Sequence, residues 1–167
     1  MKKKILILGV SSFAGSSFAN YLINIKPKYN ILGTYNSKRN LKKLIFYENR
    51  NQLNLKQLNL NIKKNYLLKL VRSFKPDYIF DFASVCMVNE SWNDPNYYFN
   101  VNFNSKIDLV KNLSKLKFLK KFIYVSTPEI FGSTSRPVKE ISKTFNPSTP
   151  YAVSKLVIEN LLSSYQK

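Results

Sequence analysis

Tyr151 and Lys155 stand four positions apart in the segment Pro147-Ser148-Thr149-Pro150-Tyr151-Ala152-Val153-Ser154-Lys155. On a helix, residues i and i+4 share one face, so the phenol and the ammonium can enter one pocket. A cation beside a phenol favours the phenolate and lowers the phenol pKa toward a range useful for proton transfer. An amphipathic helix with a snorkelling lysine has the same spacing, so the surrounding residues decide the reading. Just upstream, Ser126-Thr127-Pro128-Glu129-Ile130-Phe131-Gly132 follows an apolar run and offers a hydroxyl at Thr127 and a carboxylate at Glu129. Near the start of the chain another apolar run leads into Gly9-Val10-Ser11-Ser12-Phe13-Ala14-Gly15. In a strand-to-helix turn, small residues let backbone amides approach a pyrophosphate, and the helix N-terminus adds partial positive charge. Gly9 would allow the tight turn, and Gly15 would let the helix pack closely on the sheet. Ser12, in the middle, either crowds the pyrophosphate or adds a hydroxyl donor.

Bringing such groups to one edge takes a parallel sheet, and the alternation of apolar runs with helical patterns predicts repeated βαβ units. The expected strands are Lys4 to Leu8, Ile31 to Tyr35, Leu55 to Leu60, Tyr78 to Phe82 and Lys121 to Ser126. The expected helices run from about Phe13 to Ile25, stopped by Pro27, then Lys63 to Phe74, Asn96 to Leu116 and Pro150 to Tyr165. The polar stretch from Ser37 to Asn54 carries no clear pattern. No internal repeat or low-complexity linker divides the chain. The expectation is one α/β domain over residues 1–167, a Rossmann-like doubly wound parallel sheet with right-handed crossovers.

Composition narrows the chemistry. The chain has 167 residues, 44% hydrophobic and 14% aromatic, enough for one domain with a real core. It has no histidine and a lone cysteine, Cys86, so a His-built metal site, a Ser-His-Asp triad and an internal disulfide framework are all excluded. The apolar stretch Ile5 to Leu8 is too short to span a bilayer or to serve as a signal-peptide core. These features lead us to expect a soluble cytoplasmic protein without a membrane partner. Lys and Arg number 27 against 9 acids, a net charge of +18. The lysines occur in scattered pairs and triplets, with no long basic block. The charge is read as a solvated surface with a general preference for polyphosphates, not as a specific nucleic-acid site.

Taken in order, these segments resemble the extended short-chain dehydrogenase/reductases, the NAD-dependent epimerase/dehydratase family. Within that family they look closest to sugar-nucleotide 4,6-dehydratases of the dTDP-glucose or GDP-mannose type. The turn at Gly9 is similar to the family's Gly-x-x-Gly-x-x-Gly turn, with Ser12 for the middle glycine. Ser126 to Gly132 is similar to Ser-Thr-Asp-Glu-Val-Tyr-Gly. Asp81-Phe82-Ala83-Ser84 with Val88-Asn89-Glu90-Ser91 resembles His-Leu-Ala-Ala followed by Val-Asp-x-Ser. Pro95 and Tyr98 to Asn102 resemble a helix start whose Asn supports the active-site network. The family's Gly-Thr three residues on is Ser105-Lys106 here.

The resemblance implies roles. Thr127 would bind the sugar 4-hydroxyl, Tyr151 would take its proton with Lys155 beside it, and Glu129 would remove the C5 proton acidified by the new 4-ketone. Pro128 stands where many members carry the acid that helps expel the C6 hydroxyl, and it has no proton to give. The turn residues Gly9, Ser11, Ser12, Phe13, Ala14 and Gly15, together with Tyr151 and Lys155, would hold the dinucleotide. Phe82, Ala83, Ser84 and Asn102 would line its nicotinamide side, with Asn59 and Leu60 beside the adenine. Val88 and Ser91 would join Thr127 and Glu129 around the substrate. Relatives that prefer NAD carry an acid after the second strand. Here Asn36-Ser37-Lys38-Arg39 has none, and a cationic fork suits a 2′-phosphate, which tilts the expected NAD(P) cofactor toward NADP.

Family members are longer. The chain is therefore expected to lack the C-terminal region that binds the nucleotide sugar, as a fragment or truncated product. A homodimer through the helices beginning near Asn96 and Pro150 is a further family expectation. The rival readings are a 4-epimerase or 4-keto reductase, a non-catalytic nucleotide-binding module, and, weakest, a basic RNA-binding protein.

Overall fold

Every residue from Ile5 to Leu8 is buried, because both faces of its strand are covered. In the computed structural model, which describes residues 2–25, 29–37, 53–62 and 65–165, strand β1 spans Lys3–Leu8. Ile5 and Ile7 pack with Ala19, Leu22 and Ile23 of helix α1 (Phe13–Asn24). Leu6 and Leu8 pack with Leu67, Leu70 and Val71 of helix α2 (Tyr66–Phe74). The period of two along β1 thus divides its side chains between two separate cores.

Strands β2 (Tyr29–Tyr35), β3 (Leu53–Gln57), β4 (Tyr78–Asp81) and β5 (Lys121–Tyr124) complete the sheet of the described residues. All pairs are parallel, in the order β3-β2-β1-β4-β5. The order reverses at β1, so a crevice opens beyond the carboxyl ends of β1 and β4, where a doubly wound sheet binds its ligand. Helix α3 (Pro95–Asn102) starts on an Asp94 cap, whose side chain accepts from the Tyr97 amide at 2.9 Å. Helix α4 (Ile107–Asn112) follows it, and helix α5 (Pro150–Ser164) packs against α3. The expected Rossmann-like architecture is met.

Two elements differ from the sequence reading. The third strand was expected over Leu55 to Leu60 but pairs over Leu53–Gln57, because the ladder ends where β2 ends, with Tyr35 opposite Gln57. Leu58 and Leu60 leave the ladder to enter the core. The helix expected from Asn96 to Leu116 is broken. Helix α3 stops at Asn102, 3-10 turns cover Asn104–Lys106 and Leu113–Lys115, and α4 lies between them. At the break the Ser105 hydroxyl donates back to the Val101 carbonyl at 2.8 Å, a bond that bends helices, and the Lys106 side chain turns inward. The stop assigned to Pro27 falls outside the described residues.

Asp77 ties three strands together at their amino ends. Its carboxylate accepts from the Lys4 amide at 2.8 Å, its amide donates to the Lys4 carbonyl, and its carbonyl accepts from the Lys120 amide. The Lys4 bond, and then Lys120 at 3.0 Å, hold the Asp77 carboxyl below the usual carboxylate range. The Lys120 side chain is 57% exposed, so that ion pair contributes little and the amide bond more. Asp77→Ala should cost about 1–2 kcal/mol in urea denaturation near neutral pH. A folded-state pKa below 3.8 means this stabilisation is whole above that pH and fades as pH falls through the lower folded value. The parent and variant curves should therefore converge in acid.

Candidate active site

The turn after β1 is shaped by contacts that leave no room for side chains. Gly9 has φ of 72°, and a Cβ built there would lie 2.8 Å from the Ala83 backbone. Its amide faces the Thr34 hydroxyl at 3.3 Å, and the Val10 amide donates to the Thr34 carbonyl at 2.8 Å. Ser12 is the N-cap of α1, its hydroxyl accepting from the Gly15 amide at 3.0 Å. The Ser12 hydroxyl thus caps its own helix as an acceptor and keeps its O–H proton to donate. Gly15 is buried, and a Cβ there would strike the Gly9 carbonyl and the Ser12 hydroxyl. Phe13, 78% exposed, and Ala14 are both exposed at the start of α1.

A cleft of about 350 Å3 opens over this turn. It brings together nine residues expected at the cofactor: Gly9, Ser11, Ser12, Asn36, Asn59, Leu60, Phe82, Ala83 and Ser84. Thr34, Tyr35, Leu58 and Tyr97 also line it, and sequence reasoning missed them. Leu58 could be found only once β3 was known to end at Gln57. Among the described residues no acid lines this wall, and the glycine cradle lets amides approach closely, so the residues present fit a dinucleotide diphosphate. Ser37 follows the wall without joining it, and Lys38 and Arg39 lie outside the described residues.

Thr149 caps α5, accepting from the Ala152 amide at 3.1 Å, and Pro150 follows at the first helical position. This fixes Tyr151 and Lys155 on one face, 7% and 3% exposed. Burial holds the Tyr151 phenol above its ordinary pKa, outweighing the nearby Thr127 side chain, which favours the phenolate. The expected lowering by the lysine is therefore reversed. The Lys155 ammonium donates to the Val125 carbonyl at 2.7 Å and lies 4.3 Å from the Tyr124 ring centroid. Burial brings Lys155 down to about 8. Glu129 is exposed on the 3-10 turn Pro128–Phe131, close enough for its charge to oppose Tyr151 ionisation.

Three expected contacts are reassigned. Asn102 is wholly buried, with its amide group bonded to both the amide and the carbonyl of Val85 and to the Ser154 hydroxyl at 2.9 Å. It supports the cleft wall and does not face a ligand. Ser91 is also buried, its hydroxyl donating to the Val88 carbonyl at 2.6 Å within the 3-10 turn Asn89–Trp92. Neither Val88 nor Ser91 reaches the open depression beside the first cleft. That depression is lined instead by Cys86, Met87, Glu90 and Tyr98, and it shares Ser84, Val85 and Tyr97 with the first cleft. The Tyr98 ring meets the Tyr151 ring edge-on at 6.3 Å, which joins the phenol to this surface.

Sequence reasoning also missed a buried ion pair. Lys106 and Asp81 are both fully buried, 2.8 Å apart. Lys106 also donates to the Ala83 carbonyl at 2.6 Å, while the other Asp81 oxygen accepts from the Ala83 amide at 2.9 Å. A signal was present: these two residues replace the His and the Thr of the resembled pattern. Among the described residues no group of His, Cys, Asp and Glu could hold a metal ion, and no helix is long and apolar enough to cross a membrane.

A family model described as GDP-mannose 4,6 dehydratase matches residues 6–167. The dTDP-D-glucose 4,6-dehydratase of Dictyostelium discoideum is 30% identical, over 99% of this chain and 41% of its own length. The UDP-glucose 4-epimerase of Mycoplasma genitalium is 26% identical, over 99% of this chain and 49% of its own. The chain therefore spans about half the length of these relatives. A crystal structure of the UDP-glucose 4-epimerase of Bifidobacterium longum in complex with NAD+ and UDP superposes with a TM-score of 0.81 at 22% identity. That match covers 97% of this chain and 48% of the other, and shows the shared fold.

Because Lys155 is held near 8 when folded and near 10.5 when unfolded, the unfolded chain binds the extra proton between those values. Stability owed to this residue then rises with pH across that window. The stability of Lys155→Met relative to the parent should fall by about 3 kcal/mol from pH 8 to pH 10.5. Denaturation at a series of pH values reads this difference, and a flat difference would contradict the burial of the ammonium.

Proposed function

The chain belongs to the GDP-mannose 4,6 dehydratase family, and on that premise we propose that it is the dinucleotide-binding portion of a nicotinamide-dependent enzyme that oxidises a nucleotide sugar at C4. The observation that carries this reading is the grouping of Thr127, Tyr151 and Lys155, the last two buried on one face of α5. It lies at the carboxyl edge of the sheet, where the turn at Gly9 also opens. In the Bifidobacterium longum epimerase the same fold is seen with NAD+ and UDP.

The Gly9–Gly15 turn holds the diphosphate, Asn59 and Leu60 the adenine side, and Phe82 to Ser84 the nicotinamide ribose. NAD(P) held by these residues would supply the hydride acceptor for C4. Thr127 orients the sugar 4-hydroxyl and Tyr151 takes its proton. A buried phenol with a raised pKa rests protonated, so it must give up one proton before it can accept another. Lys155, titrating near 8, can exchange that proton in the neutral range. Glu129, two residues beyond Thr127, removes the C5 proton in the dehydratase reading. Pro128 favours a second reading, 4-epimerisation, because it cannot protonate a departing C6 hydroxyl. The absence of an acid from Asn36 to Arg39 supports NADP over NAD. A homodimer through α3 and α5 is compatible with this reading.

Calorimetry on the chain should show dinucleotide binding, tighter for NADP, with Arg39→Ala removing the preference. If neither dinucleotide binds, the reading fails. In turnover assays of the protein, Tyr151→Phe and Thr127→Ala should each lower the rate by about 10²-fold or more with dinucleotide affinity unchanged. A 4-keto-6-deoxy product from dTDP-glucose or GDP-mannose marks the dehydratase, and a C4 epimer from UDP-glucose marks the epimerase.

A further inference from the structure

Lys106 and Asp81 are wholly shielded from water. Such a pair repays its desolvation only when every polar atom is engaged. Here Lys106 and one Asp81 oxygen also bond a single residue, Ala83, through its carbonyl and its amide, while the other Asp81 oxygen has the Lys106 ammonium alone. Ala83 is the residue whose backbone presses on Gly9. The same Lys106 ammonium lies 5.2 Å from the Tyr124 ring centroid, and the Lys155 ammonium lies 4.3 Å from it. Two charges so placed about one ring are closer than about 10 Å, a Debye length in ordinary buffer, and buried charges are screened less than that.

We propose that Lys106 and Asp81 are a positioning pair for the Tyr151–Lys155 site, with Lys106 biasing Lys155 toward its neutral form and Asp81 opposing that bias. The proposal rests on the reading of Lys155 as the proton partner of Tyr151, and it concerns groups that neither the turn nor the Tyr-x-x-x-Lys spacing includes. The ionisable groups that bear on Lys155 come from each element around it. They are Lys106 beyond α3, Asp81 on β4, Cys86 after β4, and Glu159 on its own helix, with Tyr124 on β5 beneath it. After burial itself, Lys106 is the strongest influence lowering Lys155, and Asp81 the strongest raising it. The Tyr124 phenol is pushed far up by burial and stays neutral, so the ring adds no competing charge.

The pair therefore makes a prediction of opposite signs. The titration midpoint of Lys155 is read by NMR of the chain labelled with [13Cε]lysine, the resonance being assigned by its loss in Lys155→Met. The parent midpoint is expected near 8. Lys106→Met should raise the proton affinity of Lys155 by about ten-fold or more, since it removes the repelling charge and leaves Asp81. Asp81→Asn should lower it. Lys106→Arg, which keeps the charge, should leave the midpoint near the parent value.

General loosening of the fold would move every variant the same way, toward the ordinary lysine value, so opposite movements exclude a merely structural role. Where a single change prevents folding, the double variant Asp81→Asn/Lys106→Met removes both charges together. Its Lys155 midpoint should lie above the parent and below Lys106→Met, because the Lys106 effect is the larger. An unchanged or lowered midpoint in the double variant, or the same direction of change in both single variants, overturns the proposal. The measurement uses neither cofactor nor substrate. A protein that binds no dinucleotide but shows these midpoints would refute the proposed function and leave the pair standing.

Discussion

Asp81 and Lys106 bring opposite charges together out of reach of water, and both then grip the backbone of Ala83. A lone buried charge is costly, and removing one partner of such a pair costs far more than the pair contributes. The carboxylate and the ammonium therefore restrict each other, and the segment between β4 and the cleft follows. Ala83 is fixed where its backbone meets Gly9, so the floor of the cleft and the phosphate turn are set by one clamp. The helix breaks beside this pair: α3 ends at Asn102, the Ser105 back-bond marks the departure, and Lys106 follows on the 3-10 turn.

Asn102 extends the control to the other wall. By bonding both polar groups of Val85 and the hydroxyl of Ser154, it joins the exit of β4 to the first turns of α5. The phenol of Tyr151 and the ammonium of Lys155 thus sit on a helix whose position is referred back to the cleft through buried hydrogen bonds. Such bonds are individually modest but expensive to leave unmade.

At that site desolvation prevails over proximity. Tyr151 has Thr127 nearby to favour the phenolate, yet burial raises the phenol. Lys155 has Asp81 and Glu159 to favour its charge, yet burial and Lys106 lower it. The two proton affinities are moved in opposite directions by the same loss of water, and Lys155 comes nearer the neutral range where proton exchange is useful.

The strand and helix order, the glycine turn and the Tyr151–Lys155 spacing were all legible in the sequence. Each depends on short-range rules: apolar runs for buried strands, a tight turn at Gly9, and four residues to a helix face. Nine of the residues that line the cleft could be named for the same reason, since they follow directly on strand ends. The tertiary structure decided what depends on which distant groups share a buried volume. Ser12 proved to be a cap, Ser91 and Asn102 turned inward, β3 ended where its neighbour ended, and two departures from the family pattern became one ion pair. Spacing along a chain specifies which side chains share a face. Only packing determines which of them lose water, and it is the loss of water that moves the proton affinities of Tyr151 and Lys155.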